Sequence, residues 1–123
     1  VQTCALPISL PRKADVDAQY VALAERMLSA SSTTGLCAVF GTHDRAILHA
    51  LEDRARATET PRDRFEFHLL YGIQRAEQLR LAREGYRVKV LISYGEQWFP
   101  WYMRRLAERP ANLWFVAKSM FSN

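Results

Sequence analysis

Three groups of side chains have the types and spacing to do chemistry. Arg104-Arg105, with Glu108 after them, is the first. A guanidinium presents a planar fork that matches a carboxylate bidentately. Glu108 stands four residues after Arg104, where an ion pair along a helix can hold that fork in place. Neighbouring helical residues diverge by about 100°, so both arginines meet one ligand only at the rim of a cavity. The same pair on a solvated helix face would do no chemistry. Thr42-His43 is the second group. A hydroxyl beside an imidazole could serve a cofactor or a phosphate; equally, Thr42 could cap the next helix and His43 be a plain loop residue. Glu66 and His68 are the third, since alternate residues of a strand share a face and point inward together. Such a pair is either functional or structural. The sequence holds no metal-ligand set, no nucleophile constellation and no glycine-rich phosphate loop of either common type.

These residues fall among alternating helix and strand patterns. Val16, Tyr20, Leu23 and Met27 make one apolar helical stripe, with Asp15 as a plausible N-cap. Ser29 to Gly35 breaks that pattern with small polar residues. Leu36 to Phe40 is a continuous apolar run, which predicts a strand buried on both faces, as in a parallel sheet. A helix over Arg45–Ala57 follows, with Pro61 marking its exit. Phe65–Leu70 reads as a second strand, trailed by Tyr71-Gly72 and by a helix from Ala76 to Glu84 that Gly85 closes. Arg87–Ser93 is the third strand. Helices over Trp98–Glu108 and Ala111–Phe121 complete the chain. Strand–helix alternation calls for parallel strands joined by right-handed crossovers. Three strands do not complete a sheet of this class, and a (β/α)₈ barrel needs about 250 residues. The fold class is therefore α/β, the tail of something larger. In a barrel, function collects where strands end, which is where Thr42, His43, Tyr71, Gly72, Tyr94, Gly95 and Glu96 stand.

Composition narrows the function classes. The chain has 123 residues, a net charge of +4 and 49% hydrophobic residues, as a soluble globular domain does. No apolar run approaches the roughly 20 residues that span a bilayer, and Val1–Leu10 lacks the basic start and apolar core of a signal peptide. Basic residues alternate with acids, as in Glu52-Asp53-Arg54 and Arg83-Glu84, which describes solvated helix faces better than a nucleic-acid stripe. Cys4 and Cys37 lack metal spacing; Cys37 sits in an apolar run as a small hydrophobe, and a reducing cytoplasm is expected. Residues 1–9 are expected to be a non-native leader, because Val1 to Ile8 can be back-translated into the end of a sequencing-library adapter.

Phe65 to Gly72, FEFHLLYG, resembles the proline dehydrogenase motif FEFQMLYG, and Tyr94 to Asn112, YGEQWFPWYMRRLAERPAN, resembles that family's final helix. Arg12 to Leu28 resembles the helix after the family's fifth strand, and Thr42-His43 its Thr-His pair after the sixth. The resemblance runs from Pro11 to the C-terminus and assigns residues 10–123 to the C-terminal part, about three βα units, of a distorted (β/α)₈ barrel. It implies FAD-dependent oxidation of L-proline to Δ1-pyrroline-5-carboxylate, with quinone as electron acceptor and a peripheral contact at the inner membrane face. Arg104 and Arg105 would bind the proline carboxylate, Glu108 would hold the arginines, Trp101 would shape the pocket, and Thr42 and His43 would contact FAD. Catalytic residues would lie upstream, so the isolated chain is expected neither to hold FAD tightly nor to oxidise proline. The family usually has tyrosine at Leu91 and at Trp101, and glutamine at His68, which bears on substrate choice. Two rivals are another flavin or folate barrel enzyme with a carboxylate substrate, and a non-catalytic module that binds an acidic partner through its arginine-rich surface.

Overall fold

The computed structural model describes residues 12–107, with side chains through residue 104. The leader expected over residues 1–9, Glu108 and the helix expected over 111–121 lie outside the described residues.

The chain opens with α1, Lys13–Thr34. Asp15 is not its cap: it sits in the first turn, where its carboxylate accepts from Arg12 Nε at 2.9 Å. Nor does the Ser29–Thr34 stretch break the helix. Hydroxyls of Ser29, Ser31, Ser32, Thr33 and Thr34 bond to carbonyls one turn back, so they are satisfied within the helix instead of competing with it. Gly35, at φ 77°, ends α1 in the left-handed region. The buried face is Ala24, Leu28 and Ser31, flanked by half-buried Tyr20 and Val21. Val16, Leu23 and Met27 are exposed, which corrects the expected stripe. The helix has apolar residues on two sides, and the side with the small residues is the one that meets the next helix.

The strands β1 (Ala38–Gly41), β2 (Phe65–Leu70) and β3 (Arg87–Leu91) form a parallel sheet in sequential order. Their crossovers contain α2 (Arg45–Ala57) and α3 (Arg75–Arg83). Ala38, Phe40, Phe65, Phe67 and Leu69 face the helices and build the core with Leu28, Leu48, Leu51, Leu81 and Tyr86. Phe65 and Phe67 pack edge to face, with centroids 5.6 Å apart, a favoured aromatic geometry. β1 alternates buried and exposed, so the expectation of burial on both faces fails: one face packs on helices and the other is open. Leu36 and Cys37 precede the strand and are exposed, so Cys37 is not a core hydrophobe.

Helix α2 is capped by Asp44, whose Oδ1 accepts from Ala46 N at 3.0 Å. Between α2 and α3, Arg80 forks onto Glu52 at 2.6 and 3.1 Å and reaches Glu77 at 2.8 Å. The last described element, α4 (Trp98–Ala107), follows Gly95, whose φ is 89°.

Candidate active site

The C-terminal ends of the three parallel strands converge on the end of β2. Thr42, just past β1, is 5% exposed, and its hydroxyl oxygen accepts from Asp44 N at 3.2 Å. It therefore braces the loop, while the helix cap itself belongs to Asp44. His43 Nε2 accepts the Leu70 N–H at 2.8 Å. An imidazole nitrogen that accepts carries no proton, so in the neutral ring the proton is on Nδ1. The backbone of β2 thereby fixes the tautomer of His43. The carbonyl of Leu70 accepts from Gln78 Nε2 at 2.9 Å, and the same amide group reaches Ile73 O at 2.8 Å. Tyr71 N donates to Leu91 O at 3.0 Å, and Tyr71 O accepts from the Tyr102 hydroxyl at 3.2 Å. Two successive residues, Leu70 and Tyr71, are thus held by the loop after β1, by α3, by β3 and by α4.

Beyond β3 the chain forms an aromatic cleft of about 320 Å³, lined by Leu91, Ile92, Ser93, Tyr94, Gln97, Trp98 and Trp101. A wider depression of about 630 Å³ shares Ile92, Ser93, Tyr94 and Trp98 with it and adds Tyr71 and Tyr102. Leu91 and Trp101, the two positions where the resemblance led to an expectation of tyrosine, both line this first cleft. Arg104 is exposed and stands three residues after Trp101, on the same side of α4. Residue 105, four after Trp101, shares that side by the same spacing, so the pair flanks the tryptophan around the helix. The Arg105 side chain and Glu108 lie outside the described residues, and with them the Arg104–Glu108 ion pair.

Glu66 and His68 share the open face of β2, as alternation requires. His68 Nε2 lies 3.0 Å from Glu66 Oε2. The register sets Glu66 beside Arg87 and His68 beside Lys89. Arg87 Nη2 and Lys89 Nζ reach the Glu66 carboxylate at 2.7 and 2.8 Å. The hydrogen bond from His68, then that from Lys89, hold the carboxyl well below its usual range, at about 2. Sequence reading missed Arg87 and Lys89. The signal was their alternation in a strand, but only the register says which residue of β2 they meet.

The strand ends thus carry a fixed imidazole and a braced hydroxyl after β1, and an apolar cleft between β3 and the arginine-bearing helix. Among the described residues no group of side chains could hold a metal ion. Much of the basic surface is engaged internally, with Arg80, Arg45, Arg54 and Arg87 in ion pairs.

Comparison with known proteins identifies the family. The proline dehydrogenase family model matches residues 2–118. The chain is 41% identical over 113 residues to a proline dehydrogenase of Deinococcus radiodurans, covering 92% of this chain and 35% of that protein. Proline dehydrogenase 2 of Bacillus subtilis is 37% identical over 113 residues, with 92% of this chain and 36% of the relative covered. Proline dehydrogenase 1 of the same organism shares 37% over the same span. The chain thus spans about a third of the length of the curated relatives it matches. With a family match across nearly its whole length, the chain belongs to the proline dehydrogenase family.

Proposed function

We propose that this chain is the C-terminal part of a (β/α)₈-barrel proline dehydrogenase and carries that enzyme's substrate-binding helix. The observation that carries the reading is the cleft between β3 and α4, where Leu91 and Trp101 face one space and Arg104 stands on the same side of the helix. The sequential parallel sheet supports the barrel, because each strand is joined to the next through a helix.

In this reading Arg104 and Arg105 bind the carboxylate of L-proline. Charge-assisted hydrogen bonds of this type contribute roughly 1.5–3 kcal/mol each and fix the ring's orientation. The apolar wall of Leu91, Ile92 and Trp101 takes the pyrrolidine carbons and excludes water from them. FAD fits the polar end of the site: the buried Thr42 hydroxyl has its acceptor role filled by Asp44 N, so it offers an O–H. His43 is held as an Nδ1–H tautomer by the Leu70 amide. A hydroxyl donor with an imidazole beside it suits the acceptor-rich body of a dinucleotide. When bound, FAD supplies the hydride acceptor that turns proline into Δ1-pyrroline-5-carboxylate, and a quinone drains the electrons. A cytoplasmic enzyme touching the membrane through its quinone agrees with the described residues, none of whose helices is long and apolar enough to cross a bilayer.

The test is L-proline-dependent reduction of a quinone analogue by the complete enzyme that contains this segment. Turnover that is saturable in proline, with a much higher KM in Arg104→Ala, supports the reading. Absence of turnover with flavin bound overturns it.

A further inference from the structure

Helix α4 carries the arginine pair, yet the sequence alone does not say what sets its rotation about its own axis. The Tyr102 hydroxyl donates to the Tyr71 carbonyl at 3.2 Å. Its ring is half-buried, lies 6.4 Å from that of Trp98, and sits close enough to Gly72 that a Cβ there would be 3.5 Å from the hydroxyl. Burial raises the phenol's pKa, so it remains a donor across the physiological range. The acceptor is one residue beyond Leu70, whose N–H is taken by His43. The dipeptide Leu70-Tyr71 at the end of β2 therefore receives a bond from α4 through its Tyr71 carbonyl and gives one to the Thr42-His43 loop through its Leu70 amide.

We propose that Tyr102 is a positioning residue, the tether that registers the arginine-bearing helix against the loop carrying Thr42 and His43. This rests on the reading of Arg104 and Arg105 as carboxylate-binding residues. Tyr102 is about 100° round the helix from Trp101, and residue 105 stands three positions after Tyr102. With the hydroxyl on Tyr71, Trp101 lines the cleft, and helix positions 104 and 105 come three and four residues after it. Side-chain tips stand about 5–6 Å from a helix axis, so a 20° roll displaces them by about 2 Å. A shift of about 1 Å in a positioned group already costs a large factor in rate.

The experiment compares the complete enzyme with its Tyr102→Phe variant, which removes one oxygen and leaves the ring. Two quantities are read: the dissociation constant of cyclopentanecarboxylate, a ring acid with no nitrogen to oxidise, by calorimetry, and KM and kcat for L-proline. The tether gives about a fivefold weaker dissociation constant and a matching rise in KM. The fall in kcat is smaller, and flavin content and melting temperature are unchanged. An unchanged dissociation constant overturns the proposal, as does a loss of flavin and melting temperature in step with affinity, which marks a merely structural role. If the wild type binds the ring acid but does not oxidise proline, the activity reading fails. A weakened dissociation constant in the variant then still upholds the tether.

Discussion

The Arg87 guanidinium meets the Glu66 carboxylate at 2.7 Å because the parallel register makes these two residues neighbours on the open face of the sheet. Lys89 and His68 join the same carboxylate from one layer nearer the strand ends. The cluster is anchored on an acid that is only 4% exposed, and its cations hold that acid ionised.

A pH dependence follows from this cluster. The folded pKa of Glu66, about 2, lies below its ordinary 4.5. The unfolded state therefore binds the proton more readily, and the stabilisation is complete above about pH 5 and lost as pH falls from there toward 2. Thermal melts of the complete protein and its Glu66→Gln variant, taken from pH 7 down to pH 3, measure it. The gap between them narrows with acid; a gap constant across that range contradicts the assignment.

Arg80 is the hub between α2 and α3. Glu52 and Glu77 are each 3% exposed and both receive its guanidinium. Burial works to raise the Glu77 carboxyl, yet Arg80 and then Arg45 hold it below its ordinary range. Arg80→Ala leaves two buried carboxylates short of their main partner, a change that costs about 3 kcal/mol or more. Urea unfolding reads this directly. A loss under about 1 kcal/mol, the size of an exposed pair, would show that solvent and Arg45 replace Arg80.

Arg104→Lys separates fork from charge. Lysine keeps the positive charge but offers no planar pair of donors. The expected result is a rise in KM for proline of about tenfold, with Arg104→Ala about tenfold worse, in line with 1.5–3 kcal/mol for a charge-assisted bond. Steady-state kinetics on the complete enzyme decides it, and equal effects of the two substitutions would show that the fork is not used.

Leu91 and Trp101 bear on substrate choice. The resemblance leads one to expect a tyrosine at each position, and this chain has an apolar residue at one and an indole at the other, both lining one cleft. A shifted preference among proline-like amino acids is expected, on the scale of 10- to 200-fold that a methylene-sized change in an apolar pocket brings. Competing L-proline against ring-substituted analogues, in the wild type and in Leu91→Tyr, measures it. An unchanged preference order would dismiss the idea.

Much of the fold was legible because period and punctuation agree. Phe65–Leu70 and Arg45–Ala57 stand where the apolar pattern set them, and Gly85, at φ 82°, closes the turn after α3 as a glycine there should. Helix α1 was misread at both ends. Its Ser and Thr hydroxyls look like helix breakers in sequence but bond back to the preceding turn, and its outward apolar residues mask the Ala24–Leu28–Ser31 face that packs. In the site, Thr42, His43, Leu91 and Trp101 were nameable from residue types and resemblance. The His43–Leu70 and Tyr102–Tyr71 bonds were not, because each joins a side chain to the backbone of a distant element, and backbone acceptors leave no mark in a sequence.

The most direct test of the account is anaerobic titration of the complete, flavin-loaded enzyme with L-proline, followed by the flavin absorbance near 450 nm. L-Proline is expected to bleach the flavin stoichiometrically, and to bleach it less in Arg104→Ala at the same concentration. A flavin that stays oxidised under saturating proline, in a folded enzyme, would contradict it.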